Sequence, residues 1–303
     1  MSRIANEMVY HTRFAAAQAA ILEVVARARD GDPQLLPLLG PTRVGKTTLL
    51  CESIKHINNQ QPGRSQSIVS VVSPKHLTGR ALPDACLSSM GMSASMFTNH
   101  VAATNAFIKA VKKRDTRLII FDETQHMLER GSSTTVRAAA DFLKGLFDQT
   151  GASIVLAGLP SLTGLFLANE QLADRSRRPV EFYPYEWHGS DYKHFRAALA
   201  AALEHLSDTG WDTFDLKDAE FAKRMYVATG GRFGLISKIF MEVQACKPHG
   251  DAFYSEFAKA YEEAVMGRLI EFNPFDLSQR LETEHMAKVY AAIMLEAGVK
   301  VRP

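Results

Sequence analysis

One stretch, Gly40 to Thr47 (GPTRVGKT), constrains the fold of this chain more than any other. It has the spacing G-x-x-x-x-G-K-[ST], follows the apolar run LLPLL and precedes a stretch of helix-forming residues. The glycines let the backbone curl so that successive N–H groups face an anion, and the following helix adds the positive end of its dipole. The context therefore predicts a phosphate-binding loop rather than an ordinary strand-to-helix turn.

The positions of this loop have predicted contacts with ATP and Mg²⁺. We expect the ammonium group of Lys46 to bind the β- and γ-phosphates and the hydroxyl of Thr47 to coordinate Mg²⁺. Tyr10 and His11 precede the first predicted helix, and they either close over the base or pack as ordinary aromatic residues. The loop residues that we expect to bind nucleotide are Gly40, Pro41, Thr42, Arg43, Val44, Gly45, Lys46, Thr47 and Thr48.

A second motif places two carboxylates after the apolar run 118–121. We expect Asp122 to hold Mg²⁺ through water and Glu123 to orient and polarise the attacking water. The alternative is a strand that merely ends at two solvated acids. In hydrolases of this build, a polar side chain that senses the γ-phosphate often ends the next apolar strand, 153–157. Here that position is Gly158, and the nearest hydroxyl belongs to Ser161.

Composition describes an ordinary globular protein, with 46% hydrophobic and 22% charged residues among 303. No apolar run approaches the roughly 18 residues of a membrane-spanning helix, and we expect no membrane association. The three scattered cysteines are typical of reduced thiols in the cytoplasm rather than of a disulfide framework. The net charge of +2 means that any nucleic-acid contact must come from a local basic surface.

Strands that are apolar on both faces alternate with helices, which predicts an α/β fold with a parallel sheet covered on both sides. After Pro184 the pattern is helical only. The predicted strands are 35–39, 67–72, 118–121 and 153–157, and the predicted helices are 13–29, 46–58, 81–90, 101–113, 141–149, 162–172, 190–205, 216–229, 235–245, 253–269 and 277–295. The predicted domains are an N-terminal helical segment (1–33), a nucleotide-binding domain (34–185), a helical lid (186–271) and a tail (272–303).

Two groups of arginines are candidates for contacts with the γ-phosphate. Arg175, Arg177 and Arg178 follow a helical stretch at the end of the α/β part, and they either offer a finger to a neighbouring subunit or form a solvated cluster. Arg232 follows a pair of glycines at a helix start, and it either reaches the γ-phosphate or has a structural role.

The ordered motifs GPTRVGKTT, LIIFDETQHML, SIVLAGLP, LADRSRRP and GGRFGLISKI resemble those of the AAA+ ATPases of DNA transposition, the TniB/TnsC group, and most closely TniB. The resemblance implies a three-layer α/β/α nucleotide domain with a helical lid. It also implies an ATP-dependent homo-oligomer, a ring or a filament, that binds duplex DNA without sequence preference in the bacterial cytoplasm. Such an assembly regulates a transposase, with or without a target-selector protein. By the family pattern, Arg175 is the best match to the finger that acts on a neighbour, Arg178 is the second, and Arg232 matches the lid sensor.

Two polar segments after strand ends are the candidates for tracking DNA phosphates. The expected DNA-binding residues are Lys75, His76, Thr78 and Arg80 in the first segment, and Arg130, Ser132, Thr134 and Arg137 in the second. Lys112 and Lys113 are the next candidates. A loader- or initiator-like ATPase and a DNA-free, ATP-controlled protein switch remain the alternative functions.

The tail begins with Phe272-Asn273-Pro274-Phe275, in which proline prevents a helix and two rings flank it. This pattern predicts a partner-docking segment outside the ATPase core, followed by an amphipathic helix. The alternative is that the helix packs back on the lid.

Overall fold

A computed structural model describes residues 10–60, 68–128, 133–246, 249–267 and 269–299. The chain forms two compact units. One, the sheet unit, comprises the described residues of 16–40 and 46–182; the other, the helical unit, comprises those of 10–15, 41–45 and 183–299. The division passes through the phosphate loop and through the first helix, so it differs from the four segments that the sequence predicts.

A parallel five-stranded sheet is the centre of the sheet unit as described, with the strand order β2-β3-β4-β1-β5. Its strands are β1 (Leu35–Leu39), β2 (Ile68–Val72), β3 (Leu118–Asp122), β4 (Ser153–Gly158) and β5 (Val180–Glu181). Every residue of β1, β3 and β4 is buried, because helices cover both faces of the central strands. The predicted α/β fold is confirmed.

The helices of the sheet unit agree with the predicted pattern except after β3 and after β4, where the predicted stretch 162–172 forms two short helices. They are α1 (Thr12–Arg29), α2 (Lys46–Gln60), α3 (Ala81–Ser89), α4 (His100–Lys113), α5 (Ser133–Thr150), α6 (Thr163–Leu167) and α7 (Glu170–Asp174). In α1, the carbonyl oxygen of Val24 accepts a hydrogen bond from the hydroxyl of Ser153 in β4 at 2.7 Å. The helix predicted from residue 141 begins at Ser133 instead, since its polar first turns conceal a continuous amphipathic helix.

The helical unit is built around one apolar cluster that includes Phe195, Phe221, Phe240 and Phe257. Its elements are α8 (Gly189–Asp208), β6 (Trp211–Thr213), α9 (Ala219–Thr229), α10 (Phe233–Cys246), β7 (Gly250–Ala252), α11 (Tyr254–Ala264) and α12 (Thr283–Glu296). The expectation of helices alone is wrong, because β6 and β7 pair as a small parallel sheet. These strands are too short to show a period of two in the sequence.

The C-terminal segment packs into the same cluster, which is the arrangement of the alternative interpretation, in which the helix packs back on the lid. Phe275 is 2% exposed and Ile293 is 1% exposed. A Cβ atom at Gly230, the left-handed residue that ends α9, would lie 2.0 Å from Cδ1 of Ile293. Arg224 holds the connection to α12 by donating hydrogen bonds to the carbonyl oxygens of Pro274, Asp276 and Gln279.

Among the described residues, we find no helix with the length and apolar character needed to span a bilayer.

Candidate nucleotide-hydrolysis site

The phosphate loop connects β1 to α2, as predicted, and two of its residues have left-handed backbone angles. Arg43 has φ = 61° and Gly45 has φ = 108°. Lys46 begins α2 and is buried, and its Nζ donates a hydrogen bond to the carbonyl oxygen of Gly40 at 2.7 Å. Burial lowers the pKa of Lys46 to about 8, although the carboxylates of Glu123 and Asp122 act in the opposite direction. Thr48 lies one residue further along α2 and is exposed.

A hydroxyl and a carboxylate meet where a metal ion is expected. Thr47 Oγ1 donates a hydrogen bond to Asp122 Oδ2 at 2.8 Å, and the other oxygen, Oδ1, accepts one from the backbone N–H of Glu123 at 2.8 Å. Asp122 is 6% exposed. Mg²⁺ prefers such hard oxygen donors and is usually held by one or two protein groups together with phosphates and water. The donor set therefore fits Mg²⁺.

Glu123 follows β3 in a left-handed conformation, with φ = 54°. A non-glycine residue in this region is uncommon, and such residues cluster at functional sites. The amide of Gln125 donates a hydrogen bond to Glu123 Oε2 and accepts one from the backbone N–H of Leu159 at 3.2 Å. Sequence reasoning missed Gln125; the available signal was the glycine at position 158, where a polar side chain was expected.

Within the helical unit, the middle of the phosphate loop packs closely against the start of α10. A Cβ atom at Gly234 would lie 2.5 Å from the carbonyl oxygen of Arg43 and 2.8 Å from the backbone nitrogen of Gly45. Residues Pro41, Thr42 and Val44 belong to the same stretch. Only glycine permits so close an approach of helix and loop without displacing the backbone.

Arg232, the predicted lid sensor, is 6% exposed and its Nε donates a hydrogen bond to the carbonyl oxygen of Thr229 at 2.8 Å. Burial, with a further contribution from the charge of Arg43, lowers its pKa to about 10. Its guanidinium therefore has at least one structural contact at the end of α9.

The two aromatic candidates for the base occupy different surroundings in the helical unit. His11 is 8% exposed and stacks on Phe233 with ring centroids 4.5 Å apart, while Tyr185 lies 3.0 Å from its Nδ1. Burial, with Arg13 nearby, lowers the pKa of His11 to about 4. His11 is thus a packed aromatic residue, the second of the two interpretations, whereas Tyr10 is 57% exposed.

The three clustered arginines differ in their contacts. Arg175 Nε donates a hydrogen bond to Asp148 Oδ1 at 2.7 Å, and Arg177 lies 2.9 Å from Glu23. Arg178 is exposed and has no ion pair with any residue that the structure describes. Arg175 thus has an ion-pair partner among the described residues of its own chain, whereas Arg178 has none.

The strands that precede the two DNA candidates end side by side, because Val72 at the end of β2 is in register with Asp122 at the end of β3. A cavity of about 480 Å³ separates the first segment from α5, with Thr78 and Thr135 among its lining residues. Arg80 forms an ion pair with Asp84 at 2.9 Å and donates a hydrogen bond to the carbonyl oxygen of Ala94. The exposed candidates are Lys75, His76, Thr78, Thr134 and Arg137. Arg130 and Ser132 lie outside the described residues.

Together, the parallel sheet, the phosphate loop and the Asp-Glu strand end define a nucleoside triphosphate hydrolase, an ATPase of the AAA+ class. The profile of the bacterial TniB protein matches residues 3–183. The chain therefore belongs to the TniB family. Among curated proteins, none matches it.

Solved structures with similar folds include two archaeal proteins of the ORC and Cdc6 types. The Aeropyrum pernix ORC2 protein in ADPNP-ADP complexes has a TM-score of 0.60 at 11% identity, covering 97% of this chain and 83% of that chain. Cdc6p from Pyrobaculum aerophilum has a TM-score of 0.54 at 13% identity, covering 89% and 76%. A Walker-type ATPase of Pyrococcus abyssi has a TM-score of 0.51 at 15% identity, covering 82% and 69%. These similarities support the AAA+ fold.

Proposed function

We propose that the protein is an ATP-dependent regulator of DNA transposition. It assembles as a homo-oligomer, a ring or a helical filament, on duplex DNA in the bacterial cytoplasm and marks a target site. It then recruits or activates a transposase, with or without a target-selector protein, and ATP hydrolysis drives its disassembly. Membership of the TniB family carries this proposal.

The phosphate loop binds ATP in this proposal. Lys46 supplies a positive charge to the β- and γ-phosphates, and the backbone N–H groups of the loop complete the cradle. Thr47 and Asp122 hold Mg²⁺, which neutralises charge that develops on the phosphate oxygens when it is bound. The 2.8 Å contact between their oxygen atoms supports this pairing.

Glu123 orients the attacking water. The water oxygen forms a bond to the γ-phosphorus, the bond between that phosphorus and the bridging oxygen of ADP breaks, and a water proton passes to the Glu123 carboxylate. Arg178 of a neighbouring subunit stabilises the charge of the transition state, since its guanidinium has no ion pair among the described residues of its own chain.

DNA contact is carried by exposed cations and hydroxyls at the edge of the sheet where β2 and β3 end. Lys75, His76 and Thr78 come from the first segment, and Thr134 and Arg137 from the first turns of α5. Short hydroxyls with few cations suit contacts to phosphates rather than to base edges, so the binding tolerates any sequence.

The experiment measures ATP turnover and DNA assembly by negative-stain electron microscopy, with ATP or a nonhydrolysable analogue. Lys46→Ala should lose nucleotide binding and all assembly, while Glu123→Gln should bind ATP, lose turnover and stay on DNA longer. Lys55→Ala is the matched control, because Lys55 is an exposed lysine of the same helix that pairs with Glu52.

Assembly on DNA that depends on ATP, together with stimulation of a transposase, would support the proposal. ATP binding without any DNA binding at low salt would contradict it and favour a DNA-free protein switch. DNA binding without an effect on a transposase would favour a loader- or initiator-like ATPase.

A further inference from the structure

A buried side-chain amide connects the end of β3 to the end of β4 inside the sheet unit. Gln125 is 4% exposed and lies in the short 3₁₀ turn Thr124–Met127 that follows Glu123. Its Oε1 accepts a hydrogen bond from the backbone N–H of Leu159 at 3.2 Å, and its Nε2 donates one to Glu123 Oε2. Both the oxygen and the nitrogen of the amide therefore form hydrogen bonds.

The orientation of this amide follows from its partners. The backbone N–H of Leu159 can only donate, so the atom of Gln125 that faces it must be the carbonyl oxygen. The NH₂ group then faces the Glu123 carboxylate, which can only accept when ionised. A hydrogen bond to a charged group is shorter and stronger than a neutral one, and it holds the carboxylate in one direction.

Gly158 makes room for this arrangement. A Cβ atom at position 158 would lie 2.9 Å from Gln125 Oε1 and 3.1 Å from the backbone nitrogen of Gln125. A side chain at this strand end and the amide of Gln125 thus compete for one space. Gly158 stands where a polar side chain that senses the γ-phosphate was expected. Because it has no side chain, the amide of Gln125 can occupy that space.

We propose that Gln125 is a positioning residue for ATP hydrolysis, and that its amide fills the place of a polar side chain at the end of β4. It fixes the Glu123 carboxylate relative to the β4 strand end, so that water is held for attack. This inference rests on the proposed role of Glu123 as the group that orients water. Gln125 acts through Glu123 and need not touch the nucleotide.

The first test compares Gln125→Leu with Thr124→Val. Leucine keeps most of the volume and removes both hydrogen bonds, so kcat should fall by on the order of 10²-fold, the scale of a small misplacement of a reacting group. The Kd for mant-ATP, a fluorescent ATP analogue, should change less than about twofold because Gln125 is not a phosphate contact.

Thr124→Val is the matched control for structural effects. Thr124 is buried in the same turn and donates hydrogen bonds to the carbonyl oxygens of Phe121 at 3.0 Å and Ala157 at 2.9 Å, but none of its hydrogen bonds involves Glu123. It should lower the melting temperature while kcat stays near the wild-type value. If both variants lose kcat in proportion to their loss of stability, Gln125 is structural and the inference fails.

The dependence of kcat on pH separates the two roles of Gln125, because a purely structural role would leave the shape of that profile unchanged. Gln125→Glu places a second carboxylate against Glu123, and two carboxylates that share a site raise one pKa of the pair. The acidic limb of the kcat profile should move to higher pH. A profile identical to that of the wild type would overturn the contact between residues 125 and 123 in the working enzyme.

Gly158→Ala tests the shared space. It should displace the Gln125 amide and lower kcat, and the loss in Gly158→Ala/Gln125→Leu should be less than the product of the two separate losses, because both remove the same contact. If the loss of kcat in the double variant equalled the product of the two separate losses, Gly158 and Gln125 would not be coupled. Full turnover by Glu123→Gln would refute the role of Glu123 itself, whereas loss in Glu123→Gln with full turnover in Gln125→Leu would refute the role of Gln125 alone.

Discussion

The ammonium group of Lys46 donates a hydrogen bond to the carbonyl oxygen of Gly40, the residue that begins the same loop, over 2.7 Å. Burial of the ammonium group disfavours its charge and lowers the pKa of Lys46 to about 8, although the carboxylates of Glu123 and Asp122 act in the opposite direction. Phosphate binding requires the charged form.

We therefore predict that affinity for ATP is greatest below about pH 8 and weakens as the pH rises through that value. The sign follows because ATP binds the protonated lysine, so binding at high pH must first recover a proton. Lys46→Arg should bind ATP more weakly but with no such decline, since a guanidinium stays charged. Titrations with mant-ATP between pH 6.5 and about 9.5 measure this, and a flat wild-type profile would refute it.

The arginine cluster gives a prediction that separates two neighbouring residues. Arg178→Ala should lose roughly 10³-fold or more in turnover, the scale of an arginine finger, with ATP binding unchanged. Mixing Arg178→Ala with Glu123→Gln subunits should restore activity, because some interfaces then contain both intact groups.

Arg175→Ala should instead behave like Asp148→Ala, since each removes one side of the same ion pair. Both variants should keep most turnover and lose a little stability, because an exposed pair contributes roughly 0 to 1 kcal/mol. If Arg175→Ala is inactive, Asp148→Ala is active and mixtures with Glu123→Gln recover activity, Arg175 is the finger.

Salt dependence tests the DNA surface. Lys75→Ala with Arg137→Ala should weaken binding equally on unrelated duplexes and lower the slope of log K against log salt by about 0.9 for each lost phosphate contact. Lys113→Ala is the matched control, because Lys113 ends the helix that leads to the amino end of β3, at the opposite edge of the sheet. If only Lys113→Ala lowered the slope, the DNA-binding surface would instead lie at the edge of the sheet where the amino end of β3 is found.

The C-terminal helix offers a matched pair for stability. Ile293→Ala should cost about 2 to 5 kcal/mol of unfolding free energy, because its side chain is buried in the cluster of the helical unit. Leu295→Ala should change it by about 0.5 kcal/mol or less, since Leu295 is 73% exposed. Urea unfolding measures both. If both variants changed the free energy of unfolding by similarly small amounts, α12 would instead be a separate docking segment.

Strands with strong local patterns could be predicted from the sequence. β1 was predicted with its observed bounds, and β3 and β4 within one residue, because a run of apolar residues between polar ends is unambiguous once a phosphate loop follows one of them. The carboxylates after β3 were predicted for the same reason. The pairing of Thr47 with Asp122 follows from where parallel strands end.

Other features depend on contacts between residues that are distant in sequence. Phe272-Asn273-Pro274-Phe275 has the composition of an exposed ligand, but Phe275 packs against Phe257 with ring centroids 5.6 Å apart, and Arg224 donates hydrogen bonds to the segment. In the sequence, nothing distinguishes Gln125 from other polar residues that follow a strand. Its contact with Gly158 is seen only in the structure. The ion pair of Arg175 with Asp148 joins α7 to α5, which no local pattern indicates.

Arg224 recognises the chain before α12 through main-chain carbonyl oxygens alone, at Pro274, Asp276 and Gln279. Every amino acid carries that group, so these hydrogen bonds do not depend on which side chains the three positions carry. The segment is also held by its own side chains, since Phe275 is buried and Asn273 donates a hydrogen bond to the carbonyl oxygen of Ala258 at 3.0 Å. A substitution of Leu277, which is 62% exposed, should therefore leave the path of the segment unchanged. That exposure also makes position 277 suitable for a fluorescent label that leaves the packing of the segment intact.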